Sequence, residues 1–443
     1  MAKIMNTTEI ESALVNFGTV YPDFCQRIEL PEQTHEGRAC HALRIAKSYD
    51  RNKPAALVIG GVHAREWGGP DIVVNFIGDI LRAYANGKGL KYGKKTFSAS
   101  EIKTIIETTT VVVFPCVNPD GVEYSHKKTA LWRKNRNPAS SHGDARKIGV
   151  DINRNYDFLW DFKTYFHPSA WVGSLASDDP TEDTFHGTAP FSEPETRNVK
   201  WLLDNFNCAL FLDLHSFTGD VLYNWGDDQN QNTDANQNFA NSSFNGKRGV
   251  IGDGYREFLS PSDQQAASSM AQAISDAMKA VRNRPYKAIQ AVGLYPTAGA
   301  SDDYAFSRHL AHPGLNKTFG FTIEFNFEGD GQNPFLVTSN PKVLDQTMRD
   351  VIPGLIAFCT AASQAQAMSA PGAQPDLALA AQRSAAQPVA YRTAAANEIL
   401  QLVNAYEAVA SVPGPGGEIA RQGVLKAIGK AAEQAARSRP RRA

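Results

Sequence analysis

The stretch Ala55-Ala-Leu-Val-Ile-Gly60-Gly-Val-His63-Ala-Arg-Glu66-Trp67 joins a short apolar run to two polar side chains. The first six residues lack the alternation of a half-exposed strand, which is typical of a strand covered on both faces. His63 and Glu66 lie three residues apart, so one turn of helix or a tight loop brings the imidazole and the carboxylate to the same side. The stretch predicts a buried strand that ends at a pair of zinc-type ligands.

Runs of this apolar kind alternate along the chain with residues at helical spacing. The strand-like runs are residues 109–117, 209–214 and 319–325, and the helical patterns are residues 76–84, 266–282 and 344–359. Pro353 predicts an interruption of the last helix, because proline removes a backbone hydrogen bond. The alternation predicts an α/β fold in which helices cover both faces of a central β-sheet. In such folds, ligands bind beyond the carboxyl ends of the strands.

The composition is that of a globular protein with a peptide or small-molecule partner. The 443 residues are 42% hydrophobic and 21% charged, with a formal net charge of −1, which excludes disorder over most of the chain. The balanced charge gives no reason to expect nucleic acid as a partner. We expect no membrane span, because no run of about 18 apolar residues occurs. No secretory signal follows Met1, so we expect a cytoplasmic protein, with export by another route left open.

Histidine and carboxylate side chains are the residue types that we expect to bind a metal, because the cysteines are not arranged for it. The five cysteines are widely spaced without a Cys-x-x-Cys pair, so we expect neither a disulfide framework nor a thiolate zinc site. Cys116 and Cys208 are interpreted as buried structural thiols. His215 closes the run 209–214, and with His63 and Glu66 it would leave a fourth position for water, as catalytic zinc requires. Taken singly, each signal also fits a solvated helix face or a structural histidine.

The composition changes near residue 363. Residues 363–392 are rich in Ala, Gln, Pro and Ser and predict a linker. Residues 393–443 carry two Ala-rich helical patterns and a basic end. This tail is interpreted as marginal helices, as an element for docking or self-association, or as a basic segment attracted to acidic surfaces. Within the body, residues 227–254 are rich in Asn, Gln, Asp and Gly and predict a long surface loop.

Seven short motifs follow one another between His63 and Glu324. They are His63-Ala-Arg-Glu66, Asn118-Pro-Asp-Gly-Val-Glu-Tyr124, Leu131-Trp-Arg-Lys-Asn-Arg136, Gly149-Val-Asp-Ile-Asn-Arg-Asn155, Leu214-His-Ser216, Leu294-Tyr-Pro-Thr-Ala-Gly-Ala-Ser-Asp-Asp303 and Phe321-Thr-Ile-Glu324. In content and order they resemble the zinc metallocarboxypeptidases of the carboxypeptidase A/B family, in a bacterial-type form without a pro-domain. The resemblance implies a catalytic domain over residues 1–362, with a mixed central sheet flanked by helices on both faces and a helical extension after it.

The resemblance also implies a metal centre and a base. It assigns His63, Glu66 and His215 to one Zn²⁺ per chain, with water in the open position. Asp151 matches an acid that orients His63, as metal-bound imidazoles usually require. Glu324 ends the run 319–325 and matches the general base that accepts a proton from the water.

Four further positions match substrate-binding residues of the family, and one matches a catalytic arginine. Arg133 corresponds to the arginine that stabilises the oxyanion of the tetrahedral intermediate. Asn153 and Arg154 correspond to the pair that binds the free C-terminal carboxylate, and Tyr295 to a tyrosine that covers it. Arg65 corresponds to a contact upstream of the cleaved bond. Peptide and protein C-termini are therefore the expected partners.

Asp302 carries the prediction of specificity. In the family, an acid at the matching position lies at the floor of the pocket for the C-terminal side chain and marks the branch that removes basic residues. We therefore expect an exopeptidase that prefers C-terminal Lys or Arg and also accepts bulky apolar residues, while the neighbouring Asp303 is interpreted as structural. Two alternatives stay open: a cell-wall peptidase of the same fold that cuts beside diaminopimelate, and an inactive pseudo-peptidase that only binds peptides.

Overall fold

A computed structural model describes residues 4–48, 50–327, 335 and 341–365 of the chain. The predicted linker over 363–392 and the predicted tail over 393–443 lie outside these residues, apart from 363–365, which form the end of the last helix. None of the described helices is long and apolar enough to cross a membrane.

Helices and short strands alternate along the body of the chain. The strands are β1 (Cys25–Glu29), β2 (His41–Ile45), β3 (Ala55–Gly60), β4 (Leu90–Tyr92), β5 (Lys95–Phe97), β6 (Thr110–Phe114), β7 (Cys208–Ser216), β8 (Asp220–Tyr223), β9 (Asn230–Gln231), β10 (Glu257–Phe258), β11 (Lys287–Gln290) and β12 (Phe319–Phe325). The α-helices are α1 (Thr7–Val20), α2 (Gly69–Ala85), α3 (Ala99–Thr108), α4 (Pro119–Lys127), α5 (Phe162–Tyr165), α6 (Pro194–Asn205), α7 (Pro261–Lys279), α8 (Ser301–Ala311) and α9 (Pro341–Ala365).

Eight strands form one mixed sheet in the order β1-β2-β6-β3-β7-β12-β8-β11. The four central strands β6, β3, β7 and β12 run parallel to one another. Antiparallel pairing flanks them, with β2 on β6 at one side and β8 on β12 at the other. The central strands are buried along nearly their whole length, as expected for parallel strands covered on both faces.

The side chains of β12 explain how helices cover both faces of the sheet. Successive side chains of a strand point to opposite faces. Thr322 donates a hydrogen bond of 3.0 Å to Asp302 of α8, and a Cβ at Gly320 would lie 2.1 Å from the Asp302 carbonyl oxygen. The ring of Phe321 instead packs against Phe358 of α9, with the centroids 6.2 Å apart. Helices α8 and α9 therefore lie on opposite faces, and the predicted α/β architecture is confirmed.

The predicted break at Pro353 is wrong, because α9 continues through it from Pro341 to Ala365. A proline inside a helix costs about 3 kcal/mol. Its neighbours Ile352, Leu355 and Ile356 are at most 3% exposed, and burial of each such side chain contributes about 1.5–3 kcal/mol. Burial of this face outweighs the missing backbone hydrogen bond.

The interpretation of residues 227–254 as a surface loop is wrong for three of the six charged residues in the segment. Asp227, Asp228 and Arg248 are fully buried, and β9 lies within the segment. The Arg248 side chain donates to Glu257 at 3.0 Å and lies 3.4 Å from Asp227. The polar composition was misleading because Arg248 pairs with Asp227 and Glu257 inside the fold, while Asp228 accepts from the backbone N–H groups of Gln229 and Gly249.

The five cysteines are free and buried. Burial raises the pKa of the Cys208 thiol to about 12. The interpretation of Cys116 and Cys208 as structural thiols is therefore confirmed, since a thiol of this kind stays protonated and unreactive at neutral pH.

Candidate active site

The carboxyl ends of three parallel strands place the predicted metal ligands and the predicted base together. His63 lies three residues after the end of β3, and His215 lies near the end of β7. Glu324 of β12 pairs in register with His215. Because β3, β7 and β12 are neighbours, these side chains meet at one edge of the sheet, where ligands were expected to bind.

His63, Glu66 and His215, which we call the cavity cluster, direct three ligand atoms to one point. Nδ1 of His63 lies 2.7 Å from Oε1 of Glu66, and Nδ1 of His215 lies 3.0 Å from Oε2 of Glu66. The two Nδ1 atoms are 3.0 Å apart. All three side chains are at most 6% exposed. Two imidazoles and a carboxylate form a donor set that suits zinc with an open fourth position, so the residues present fit this metal.

A carboxylate lies behind each imidazole of the cavity cluster. Nε2 of His63 is 3.1 Å from Oδ1 of Asp151, and Nε2 of His215 is 2.8 Å from Oδ2 of Asp213. These contacts leave Nδ1 of each ring facing the common point. The predicted position of Asp151 agrees with this geometry, whereas Asp213 was missed. Its signal was its spacing, since residues two apart on a strand share a face.

Charge–charge contacts shift the pKa values of this group. Burial would lower the pKa of His215, but the carboxylates of Asp213 and Glu66 raise it well above its usual value. Burial would likewise raise the pKa of Asp151, yet the charges of Arg133 and His63 hold it well below its usual range. Asp151 is therefore an anion at any working pH.

Arg133 is held beside the cavity cluster by Asp151. Its Nε and Nη2 atoms donate to Oδ2 of Asp151 at 2.9 and 2.8 Å, and Nη1 lies 3.3 Å from Nδ1 of His63. The guanidinium is buried and its fork is fixed in direction. This geometry puts a permanent positive charge next to the point where the three ligand atoms meet.

Glu324 lies on the wall of the same cavity and is 8% exposed. Burial and the nearby charge of Glu66 raise the pKa of the Glu324 carboxyl to about 8, although His215 and Arg133 act in the opposite direction. A carboxyl group with a pKa in this range can both accept and donate a proton near neutral pH.

The cavity has a volume of about 380 Å³ and contains every predicted substrate-binding residue. Around the cavity cluster, its lining includes Arg65, Arg133, Asn153, Arg154, Tyr295, Asp302 and Glu324. Apolar and small residues that were not predicted to bind substrate complete the wall. These include Leu222, Ala291, Leu294, Thr297, Ala300 and Thr322. Of these, Thr322 had a signal, since it lies two residues before Glu324 on one strand.

Arg154 is fixed by backbone carbonyl groups. Its Nε, Nη1 and Nη2 atoms donate to the carbonyl oxygens of Leu175, Asn153 and Ser174, each at 2.7 Å. One N–H on each terminal nitrogen has no partner among the described residues. The side-chain oxygen of Asn153 accepts from the backbone N–H of Ser301 at 2.8 Å. The pair is thus rigid and can present a fork to a carboxylate.

Asp302 occupies the first turn of α8 and is 5% exposed at the cavity wall. Its Oδ2 accepts from Thr322, and its Oδ1 accepts from the backbone N–H of Asp303, each at 3.0 Å. Burial raises the pKa of Asp302 above its usual value. Asp303 accepts instead from Asn224 and from the backbone of Gly226, as expected of a structural acid.

At the cavity rim, Arg65 forms an ion pair with Asp183, with 2.7 Å between Nη1 and Oδ2. The guanidinium also lies over the Phe335 ring, 4.6 Å from its centroid. Phe217 packs edge-on against the same ring. These contacts place Arg65 outside the buried centre, where a longer peptide would lie.

An α/β sheet with a histidine–carboxylate cluster, an arginine and a second carboxylate around one open cavity defines a metal-dependent hydrolase. Residues 10–353 match the sequence model of the family described as zinc carboxypeptidase. The chain therefore belongs to the zinc carboxypeptidase family, whose members hydrolyse peptide bonds.

Named relatives agree with this assignment. Carboxypeptidase B from Astacus astacus is 28% identical over 327 residues, which span 73% of this chain and 86% of that protein. Carboxypeptidase B from Helicoverpa zea is 31% identical over 223 residues, which span 49% of this chain and 46% of that protein. The crystal structure of carboxypeptidase A from Helicoverpa armigera has the same fold, with a TM-score of 0.62 at 22% identity over 82% of this chain and 74% of that one.

Proposed function

We propose that the protein is an exopeptidase that removes the C-terminal residue of peptides and proteins, with a preference for Lys and Arg. The observation that carries this proposal is the buried carboxylate of Asp302 in the wall of the cavity that contains the cavity cluster and Arg154. A buried acid favours a cationic side chain, because a charge-assisted pair satisfies it.

The cavity cluster would hold one catalytic zinc ion per chain. When bound, zinc supplies Lewis-acid chemistry: it makes water acidic near neutral pH and polarises a carbonyl oxygen. Asp151 and Asp213 keep both imidazoles in the orientation that presents Nδ1 to the ion.

Glu324 serves as the general base and acid. Its carboxylate accepts a proton from the attacking water and returns it to the leaving amine nitrogen, so the protons balance across the reaction. The raised pKa of Glu324, about 8 before a cation binds, supports this role. Arg133 donates to the oxygen that becomes negative, and loss of one such donor typically costs about 2.7–4 kcal/mol of transition-state stabilisation.

Substrate orientation depends on three further residues that line the cavity. Arg154 and Asn153 bind the terminal carboxylate, and Tyr295, which lines the same cavity, donates to it. The fixed fork of Arg154 supports exopeptidase rather than endopeptidase action, because it requires a free carboxylate. The apolar wall residues Leu222 and Leu294 support the acceptance of bulky apolar termini as a second preference.

The two alternatives have less support. A diaminopimelate terminus carries an extra carboxylate, which the charge of Asp302 would repel. An inactive pseudo-peptidase would not need to keep Glu324 and Arg133 beside the cavity cluster.

Profiling of C-terminal residue release tests the proposal. We expect the native protein to release Lys and Arg from blocked peptides faster than Phe or Leu, and Glu slowest. Asp302→Ala should lower kcat/KM for Lys and Arg by about 10- to 150-fold, the value of a lost charged hydrogen bond. Release of Phe by the same variant is the control and should not fall. Unchanged Lys and Arg release would contradict the assignment of Asp302.

A further inference from the structure

A second group of metal-binding residue types lies at the start of α6 and outside the cavity. We call His35, Glu193 and Glu195 the α6 cluster. Glu193 directly precedes α6, Glu195 lies in its first turn, and His35 comes from the segment between β1 and β2. The three side chains offer one ligand atom each, and these atoms lie within 4.8 Å of one another. The same limit describes the cavity cluster.

The two carboxylates of the α6 cluster are deeply buried, whereas the imidazole reaches the surface. Glu193 and Glu195 are 0% exposed, and the His35 side chain is 24% exposed. Nε2 of His35 lies 2.9 Å from Oε2 of Glu193. His35 is therefore the member of the α6 cluster that solvent reaches.

The hydrogen bonds of the α6 cluster leave one carboxylate oxygen without a donor among the described residues. Glu193 accepts from Ser192, Asn135 and Asn137. Glu195 accepts from the Asn135 side chain at Oε2, while its Oε1 is buried and has no hydrogen-bond partner among the described residues. A buried carboxylate oxygen without a partner is costly, so this oxygen points to a missing positive charge.

Asn135 fixes the geometry of the α6 cluster without being a ligand. Its side-chain oxygen accepts from the backbone N–H groups of Val150, at 2.8 Å, and Asn137, at 3.2 Å. The amide Nδ2 must then face the carboxylates, and it donates to Glu193 at 2.7 Å and to Glu195 at 3.0 Å. The two acids are held in place before any ion binds.

We propose that His35, Glu193 and Glu195 bind a second divalent cation, and that zinc is the ion they favour. One imidazole and two carboxylates form a nitrogen–oxygen donor set that suits zinc better than calcium or magnesium, which take oxygen ligands. A divalent ion, two carboxylates and a neutral imidazole have no net charge. This ion is additional to the single one that the sequence predicted.

The contacts of the α6 cluster indicate a structural role for this ion. Asn135 also holds Val150, and the backbone N–H of Glu193 donates to the side chain of Asn155 at 3.2 Å. These two positions flank the segment that carries Asp151 and Arg154. A cation at the α6 cluster therefore braces the segment that supplies the cavity with its carboxylate-binding arginine.

Zinc titration of the full chain tests the proposal. Protein stripped with a chelator is titrated with zinc alone, and bound metal is counted by calorimetry and elemental analysis. We expect two equivalents for the native protein and one for His35→Ala, which should still hydrolyse an Arg-terminated peptide. His312→Ala, which also changes an exposed histidine, is the matched control and should keep two equivalents.

Two further variants assign each equivalent to its cluster. His215→Ala should keep the α6 equivalent and lose the catalytic one, whereas Glu195→Gln should do the reverse. Saturation of the α6 cluster at about 100 times its Kd should raise the Tm of the native protein by about 5 °C more than that of His35→Ala, which keeps only the ion of the cavity cluster. A native protein that binds one equivalent, or a second equivalent that survives His35→Ala, would overturn the proposal. Failure of peptide hydrolysis with two bound equivalents would instead count against the proposed function.

Discussion

The cavity cluster and the α6 cluster use the same residue types in opposite surroundings. His63, Glu66 and His215 line a cavity of about 380 Å³, with Arg133 and Glu324 beside them. The carboxylates of the α6 cluster are instead enclosed by side chains that donate to them, above all Asn135. The donor set is therefore a poor guide to role. Space for a substrate, with a base and a cation next to it, separates a catalytic centre from a structural one.

The largest difference between the two clusters should appear on removal of the base. Glu324→Gln should lower kcat/KM about 10²- to 10⁴-fold, because general base catalysis contributes in this range. Zinc content should stay the same at both clusters, since Glu324 belongs to neither donor set. Steady-state kinetics with an Arg-terminated peptide measures the effect, with elemental analysis as the control. Activity of Glu324→Gln within tenfold of the native protein would mean that Glu324 is not the base that makes the cavity cluster catalytic.

The α6 cluster should make the free energy of unfolding of the metal-free protein depend on pH. Burial, followed by the charge of Glu193, raises the pKa of Glu195 from its usual 4.5 to about 7. The folded metal-free protein then holds a proton that the unfolded chain releases, so its free energy of unfolding falls as pH rises from about 5 to 7. The loss attributable to Glu195 is on the order of 3 kcal/mol.

Urea unfolding of chelator-treated protein at several pH values measures this loss. Glu195→Gln is the comparison, because it keeps the shape and removes the titrating group. We expect the difference in unfolding free energy between the two metal-free proteins to change as the pH rises from about 5 to 7. When zinc is added, this difference should no longer depend on pH in that range. Parallel pH profiles for both metal-free proteins would contradict the assignment.

A smaller effect should follow from changing Asp151, which supports the cavity cluster and not the α6 cluster. Asp151→Asn should weaken zinc binding at the cavity cluster by about 10- to 100-fold, as is usual for a residue that orients a metal-bound histidine. The α6 equivalent should keep its affinity. Competition with a chelator measures both, and Asp144→Asn, whose side chain pairs with Arg146 at the surface, is the matched control. An equal loss at both clusters would mean that Asp151 acts through overall stability.

The sequence allowed a prediction of which residues meet at the cavity cluster, because most of them lie at or just after the ends of strands. β3 and β12 begin and end where their apolar runs do. The strand ends then determine where His63, His215 and Glu324 meet, once the strands are parallel neighbours. Ordered motifs supplied the remaining positions, since each lies on a segment that reaches the same sheet edge.

Other features depended on tertiary contacts that no local pattern encodes. The helix through Pro353 is stable because its neighbours are buried, which propensity does not report. The pairing of Arg248 with Glu257 inside a polar segment depends on strand β10. The α6 cluster joins His35 to Glu193, which lies 158 positions away, so sequence spacing carried no signal for it.

Ser301 fixes the position of α8 independently of the neighbouring residue that lines the cavity. Its hydroxyl donates to Asp213 at 2.7 Å, and its backbone N–H donates to Asn153 at 2.8 Å. These two bonds hold the start of α8 against the residue behind His215 and against a residue of the cavity wall. The next residue, Asp302, contacts Thr322 and the backbone of its own helix. If Asp302 selects the C-terminal side chain as we propose, residue 302 can change without loss of the contacts by which Ser301 holds the start of α8 in place.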